Sequence, residues 1–204
     1  MGCLPLGGDE IVLVRNHEMV PGDDAGGPLA HGYGTHNGSI VPGGTTNLVL
    51  DATTLAPKRE FRTLAGTIRN CSGGITPWGS WLTCEEAPTG PGQRYGDGLE
   101  RNHGWVFEVP AAATGLVDAV PLTAMGRFNH EAACVDPATG IVYLTEDRDD
   151  SVLYRFLPDT PGRLADGGRL QAMVIDGLAD TRNWTGPDMA TGTSHTVRWI
   201  DCTD

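Results

Sequence analysis

The sequence predicts an all-β chain, and three observations carry that reading. Eight short runs have strand composition. No window of about 11 or more residues shows a helical period. The 29 glycines and 14 prolines punctuate the chain between apolar runs. In order, the strand runs are 10–15, 46–51, 80–84, 104–109, 131–136, 140–145, 151–156 and 169–174. The first sets Ile11-Val12-Leu13-Val14 between Glu10 and Arg15, and the second sets Leu48-Val49-Leu50 between Asn47 and Asp51. The others read alike: β-branched or aromatic residues bounded by Gly, Pro, Asp or Asn. Between the fifth and sixth, Asp136-Pro137-Ala138-Thr139-Gly140 is a tight-turn sequence, with Pro early and Gly at the left-handed position. Three Gly- and Pro-rich stretches, 21–44, 87–98 and 177–194, read as long loops.

Weak internal echoes refine the class to a β-propeller. Asn16-His17-Glu18 recurs as Asn129-His130-Glu131, and Leu82-Thr83-Cys84-Glu85 is echoed by Leu144-Thr145-Glu146-Asp147. In the second pair an apolar strand ends in acids, a loop follows and another strand begins. A sandwich explains the strand density but not the acid-ended echo; a radial array of repeated sheets explains both. A four-stranded blade needs roughly 40–50 residues, so residues 1–204 read as a partial propeller of about two to three blades. The chain opens almost inside a strand and stops at Trp199-Ile200-Asp201-Cys202-Thr203-Asp204 without a terminating signal. The expectation is one domain, truncated at both ends of a longer protein.

Composition removes several function classes. Lys and Arg number 14 against 26 Asp and Glu, a net charge of −12, which disfavours nucleic-acid and anionic-membrane binding. No apolar run approaches the roughly 20 residues that span a bilayer, and no export signal opens the chain. The five cysteines are odd in number and form no C-x-x-C pair, which argues against a disulfide scaffold or a zinc ribbon. Cys84 and Cys134 lie in apolar runs and read as buried thiols. There is no P-loop, no G-x-S-x-G elbow, no H-E-x-x-H, no EF-hand loop and no dinucleotide fingerprint.

Four segments hold residues suited to chemistry. Cys71 is followed by Ser72-Gly73-Gly74, where backbone can approach a ligand closely; the thiol reads as a metal ligand, a nucleophile or part of a glycine turn. Glu85 and Glu86 end a strand, and because neighbours on a strand face opposite ways, only one can point at a shared centre. Gly126 to Glu131 leads into an apolar strand, with His130 read as structural. Thr145 to Asp150 is the fourth. Carboxylates suit hard cations such as Ca²⁺ and Fe³⁺. Arg69, Arg127 and Arg148 either neutralise these acids or orient an anionic substrate.

The run from Gly66 to Glu86 resembles the PhoX alkaline phosphatase family. Gly43 to Asn47, Gly126 to Glu131 and Val142 to Arg148 are similar to it too, as is the opening Val12 to Glu18. The resemblance covers roughly residues 10–160. It implies a six-bladed β-propeller carrying Fe³⁺ and Ca²⁺ on its axis. It implies hydrolysis of small phosphate monoesters by a bacterial enzyme, periplasmic or secreted and exported by a twin-arginine signal. Carried onto this chain, Cys71 becomes a thiolate ligand to iron, and Glu86 and Glu131 become carboxylate ligands. Glu18 and Glu146 become candidates at equivalent strand ends. Asn16 is placed at substrate or metal, and Arg69 at the phosphate. The family's chains are typically more than twice this length, so blades beyond Asp204, with any ligands they hold, are expected outside it, and residues 1–204 alone are expected to be inactive. Two other readings compete: a non-catalytic calcium-binding propeller that acts as a structural or binding module, and a calcium-dependent lactonase, which has little use for a thiolate.

Overall fold

The computed structural model describes residues 1–182 and 189–202. The chain is built from antiparallel strands. Two single 3-10 turns, Thr123–Met125 and Leu164–Asp166, are the helical elements among the described residues. None of these is long and apolar enough to cross a membrane.

Three sheets follow one another along the chain. The first contains β1 (Gly2–Gly7), β2 (Glu10–His17), β5 (Gly43–Asp51) and β6 (Pro57–Thr67), in that spatial order. A short ladder of β3 (Thr35–His36) and β4 (Ser39–Ile40) interrupts the loop between β2 and β5. The second sheet is β7 (Asn70–Ile75), β8 (Ser80–Glu85) and β9 (Val106–Pro110). The third is β10 (His130–Val135), β11 (Val142–Glu146), β12 (Tyr154–Pro158), β13 (Gly168–Ile175) and β14 (Val197–Asp201). Among the described residues, none of the sheets is closed on itself.

All eight expected strands are present, with bounds shifted by a few residues. The Asp136–Gly140 turn forms too. Asp136 accepts from the Ala138 N–H and the Thr139 hydroxyl, and Gly140 has φ +74°. The unforeseen strands are those whose local composition argues against a strand. β6 begins Pro57-Lys58-Arg59-Glu60 and is exposed there, because it borders the first sheet. β7 is Asn-Cys-Ser-Gly-Gly-Ile and takes its strand form from pairing with β8. The 177–194 loop falls partly outside the described residues.

The second sheet lies between the other two. On one side Leu82, Cys84 and Val106 pack with Ala133, Val135, Val142, Leu144 and Phe156. On the other, Trp81 and Ala111 join Leu4, Val12, Val14 and Val49, while Phe107 and Val109 meet Leu64. With both faces covered, β8 is buried at every position and loses the usual alternation of buried and exposed residues. Cys84 is buried as expected, but Cys134 is exposed, because it occupies the outward-facing position between Ala133 and Val135 on β10. Strands β7 and β10 approach so closely that a Cβ on Gly74 would fall 1.9 Å from the Ala133 carbonyl oxygen.

Candidate metal centre

The site is built by two hairpins that repeat each other. In β7–β8, Asn70 pairs with Glu85 and Gly73 with Thr83, so Cys71 and Ser72 bulge out of register. In β10–β11, His130 pairs with Glu146 and Ala133 with Leu144, so Glu131 and Ala132 bulge in the same way. The same backbone bond closes both units: the Glu86 N–H donates to the Arg69 carbonyl at 2.9 Å, and the Asp147 N–H donates to the Asn129 carbonyl at 3.1 Å. Cys71 thus matches Glu131, and Glu86 matches Asp147. A bulge twists its strand and re-aims a side chain, and here both bulged residues turn toward one place.

There the side chains converge. Ligand atoms of Glu18, Cys71 and Glu86 lie within 4.8 Å of one another, as do those of Glu86, Glu131 and Asp147. Cys71 Sγ is 3.4 Å from Glu131 Oε1. Burial, followed by the neighbouring Glu131, pushes the Cys71 thiol up to about 12. Burial and the adjacent Asp147 push the Glu86 carboxyl up to about 7, against the opposing pull of Arg69. A crowd of groups that resist ionisation together is what a multivalent cation relieves. One thiol among several carboxylates fits a transition metal beside a hard cation.

Glu85 and Glu86 divide as strand geometry requires. Glu86 turns to the cluster. Glu85 is wholly buried on the other side, and its carboxylate accepts four hydrogen bonds. The Ile68 N–H and His103 Nδ1 donate to Oε1 at 2.8 and 2.7 Å, and the Gly104 and Trp105 N–H groups donate to Oε2 at 2.8 and 3.1 Å. His103 therefore tethers the 88–104 loop to β8.

The other expected residues are placed as follows. Glu146 lies outside both acid groups and accepts from the Tyr154 hydroxyl at 3.3 Å; the acid in that corner is Asp147, one residue further on. The echo in the sequence sets Glu85 against Asp147, whereas strand pairing matches Glu85 with Glu146 and Glu86 with Asp147. Asn16 sits beneath the Cys71 bulge and its amide is fully engaged. It donates to the Cys71 and Ser72 carbonyls at 3.2 and 2.8 Å and accepts from Trp81 Nε1 and Thr83 Oγ1 at 2.8 and 3.0 Å. That geometry holds the bulge and leaves no amide atom for a ligand. Arg69 is bonded to Glu86 at 2.7 Å and paired with Glu18 at 3.7 Å, the neutralising alternative of the sequence reading. His130 is buried, with Nε2 3.0 Å from the Gly126 carbonyl and its ring 3.6 Å from that of Phe128; burial lowers its pKa to about 4.

A cavity of about 710 Å³ opens over this centre, and Arg69, Glu86, Asn129 and Arg148 border it. Arg148 is exposed, and its guanidinium makes no hydrogen bond or ion pair among the described residues. Asp147 and Asn129 are what the sequence reading missed, while Arg148, offered there as neutralising the acids or orienting an anionic substrate, borders the cavity without pairing to an acid among the described residues. Shifting the echo by one residue would have found Asp147.

Sheets in series, with a thiol and acids gathered where their hairpins meet, define an all-β protein with a candidate metal-dependent site. The sequence model of the family described as alkaline phosphatase PhoX matches residues 42–204. The chain belongs to that family, which is metal-dependent and acts on small phosphorylated substrates. No curated protein and no solved structure matches it.

Proposed function

We propose that this protein is a metal-dependent phosphomonoesterase whose centre is held by Glu18, Cys71, Glu86, Glu131 and Asp147. The observation that carries the reading is the convergence of these five side chains beside a cavity bordered by Arg148, which is unpaired among the described residues. Cys71 is suited to Fe³⁺, and the carboxylates to Fe³⁺ and Ca²⁺. Such cations, when bound, act as Lewis acids on phosphoryl oxygens and position the attacking oxygen. The chain's own part is to bind and orient. Arg148 and Asn129 are free to take phosphoryl oxygens, whereas Arg69 is already committed to Glu86 and Glu18. Water adds across the ester P–O bond, releasing an alcohol and inorganic phosphate.

The repeated bulged hairpins, each opening its own sheet, support the propeller architecture, with these sheets as successive blades. Family membership supports a periplasmic or secreted location. The test is hydrolysis of p-nitrophenyl phosphate with and without chelator, alongside metal analysis of the purified protein. Chelator-sensitive hydrolysis with bound iron and calcium is expected. Full activity after chelation, or no hydrolysis by the metal-loaded full-length protein, overturns the reading.

A further inference from the structure

The cavity over Glu86 is much larger than a phosphate group needs, and the rest of its wall has a different character. Val20, Pro21, Pro88 and Tyr95 contribute apolar surface to it. Tyr95 is the unusual member. It is 79% exposed, and its φ is +61°, a strained value for a bulky residue.

The loop that carries it is built to hold this conformation. Thr89 Oγ1 donates to the Arg94 carbonyl at 2.6 Å, and the Gly96 N–H donates to the Gln93 carbonyl at 2.9 Å. Arg127 Nη2 donates to Gln93 Oε1 at 2.6 Å. Gly96 lies against Gly90 so tightly that a Cβ there would fall 1.8 Å from the Gly90 carbonyl oxygen. The Arg94 guanidinium lies 4.6 Å from the centre of the Tyr95 ring and donates to its hydroxyl at 2.6 Å. A strained backbone thus presents a braced aromatic ring to solvent at the cavity, where burial gives it no return.

We propose that Tyr95 forms a leaving-group subsite that selects phosphate monoesters with a flat aromatic leaving group. This rests on the phosphatase reading of the same cavity. With the phosphoryl group at Arg148 and Asn129, the ester's organic part extends along the apolar wall, and the Tyr95 ring stacks on it. Stacking of this kind separates aromatic from aliphatic ligands by about tenfold.

The experiment compares phenylphosphonate and methylphosphonate, neither of which can be hydrolysed, by calorimetric titration of the protein as purified. The expected result is tighter binding of phenylphosphonate, by about tenfold. That ratio collapses toward unity in Tyr95→Ala and is kept in Tyr95→Phe. Because Tyr95 is so exposed, its truncation opens no cavity in the core, and the thermal melt of the variant checks this. An unchanged ratio in Tyr95→Ala overturns the subsite, as does failure of both phosphonates to bind. If the ratio behaves as expected but no monoester is hydrolysed, the phosphatase reading fails while the aromatic subsite stands.

Discussion

Cys71 and Glu131 hold the same place in two successive hairpins, and their side chains meet, Sγ to Oε1 at 3.4 Å. Each leaves its strand at a bulge, so the contact joins the second and third sheets at the point where acids from both arrive. The centre is therefore a property of the packing between sheets as much as of any one segment.

Removing the thiol tests its assignment as a ligand. Cys71→Ala takes away the one soft donor among oxygen ligands. Bound iron, measured by elemental analysis, is expected to fall at least tenfold, with calcium less affected. Glu131→Gln should reduce both metals, since its carboxylate lies near the Glu86 and Asp147 oxygens. Wild-type iron content in Cys71→Ala would refute the assignment.

Metal removal should lower thermal stability. A cation that binds only the folded chain stabilises it by about 2.7 kcal/mol at a hundred times its Kd. For a chain of this size that corresponds to a Tm shift of roughly 5–10 °C. Chelated and metal-loaded samples compared by differential scanning calorimetry would show it; equal Tm values would argue against a cation at the cluster.

The adjacent acids Glu85 and Glu86 should respond oppositely when neutralised in metal-free protein. Glu85→Gln turns an amide toward buried N–H donors that now bond a carboxylate, at a cost of about 3 kcal/mol. A fall in Tm of roughly 6–12 °C follows. Glu86 has the reverse sign. Its folded pKa, about 7, lies above the ordinary carboxyl value of 4.5, so the unfolded chain releases the proton first and ionisation at alkaline pH opposes folding. Glu86→Gln should therefore melt higher than wild type at pH 8. The difference should shrink as pH falls through 7 and be gone below about 4.5, where wild-type Glu86 is protonated in both states. Melts across pH 4–8 in chelator decide this, and a variant that melts lower throughout would contradict it.

Gly74→Ala probes the approach of β7 to β10. The added methyl would meet the Ala133 carbonyl oxygen at 1.9 Å, a contact with backbone that no side-chain rotation relieves. The strands must separate, carrying Cys71 away from Glu131. A loss of more than about 2 kcal/mol in chemical denaturation is expected, with reduced iron binding. A neutral effect on both would show that the two hairpins are not held at this distance.

Much of the fold was legible in local composition, and specific residues show why. Ile11 to Val14 and Val142 to Leu144 are strands on any reading, because β-branched and apolar side chains there have turn residues on either side. β7 was not legible, since Asn-Cys-Ser-Gly-Gly has no strand preference; its form comes from the ladder to β8 and from packing on β10 that needs glycine. Of the site, Cys71, Glu86, Glu131 and Glu18 were singled out in the sequence, and the structure brings them together. Glu146 and Asp147 were harder to tell apart, because two adjacent acids look alike until a strand pairing says which one faces inward.

The sequence by itself determined an all-β chain, its turns, its acidic balance and, through the run from Gly66 to Glu86, its family. Only the tertiary structure decided which acids share the centre. It moved the last position from Glu146 to Asp147, tied Arg69 to Glu86 and set Asn16 beneath the bulge. It also placed Tyr95 on the same cavity as Glu86. The physical reason is that strand-forming tendency is local, whereas side-chain direction at a bulge depends on the register of the partner strand, and charges converge only when separate sheets pack.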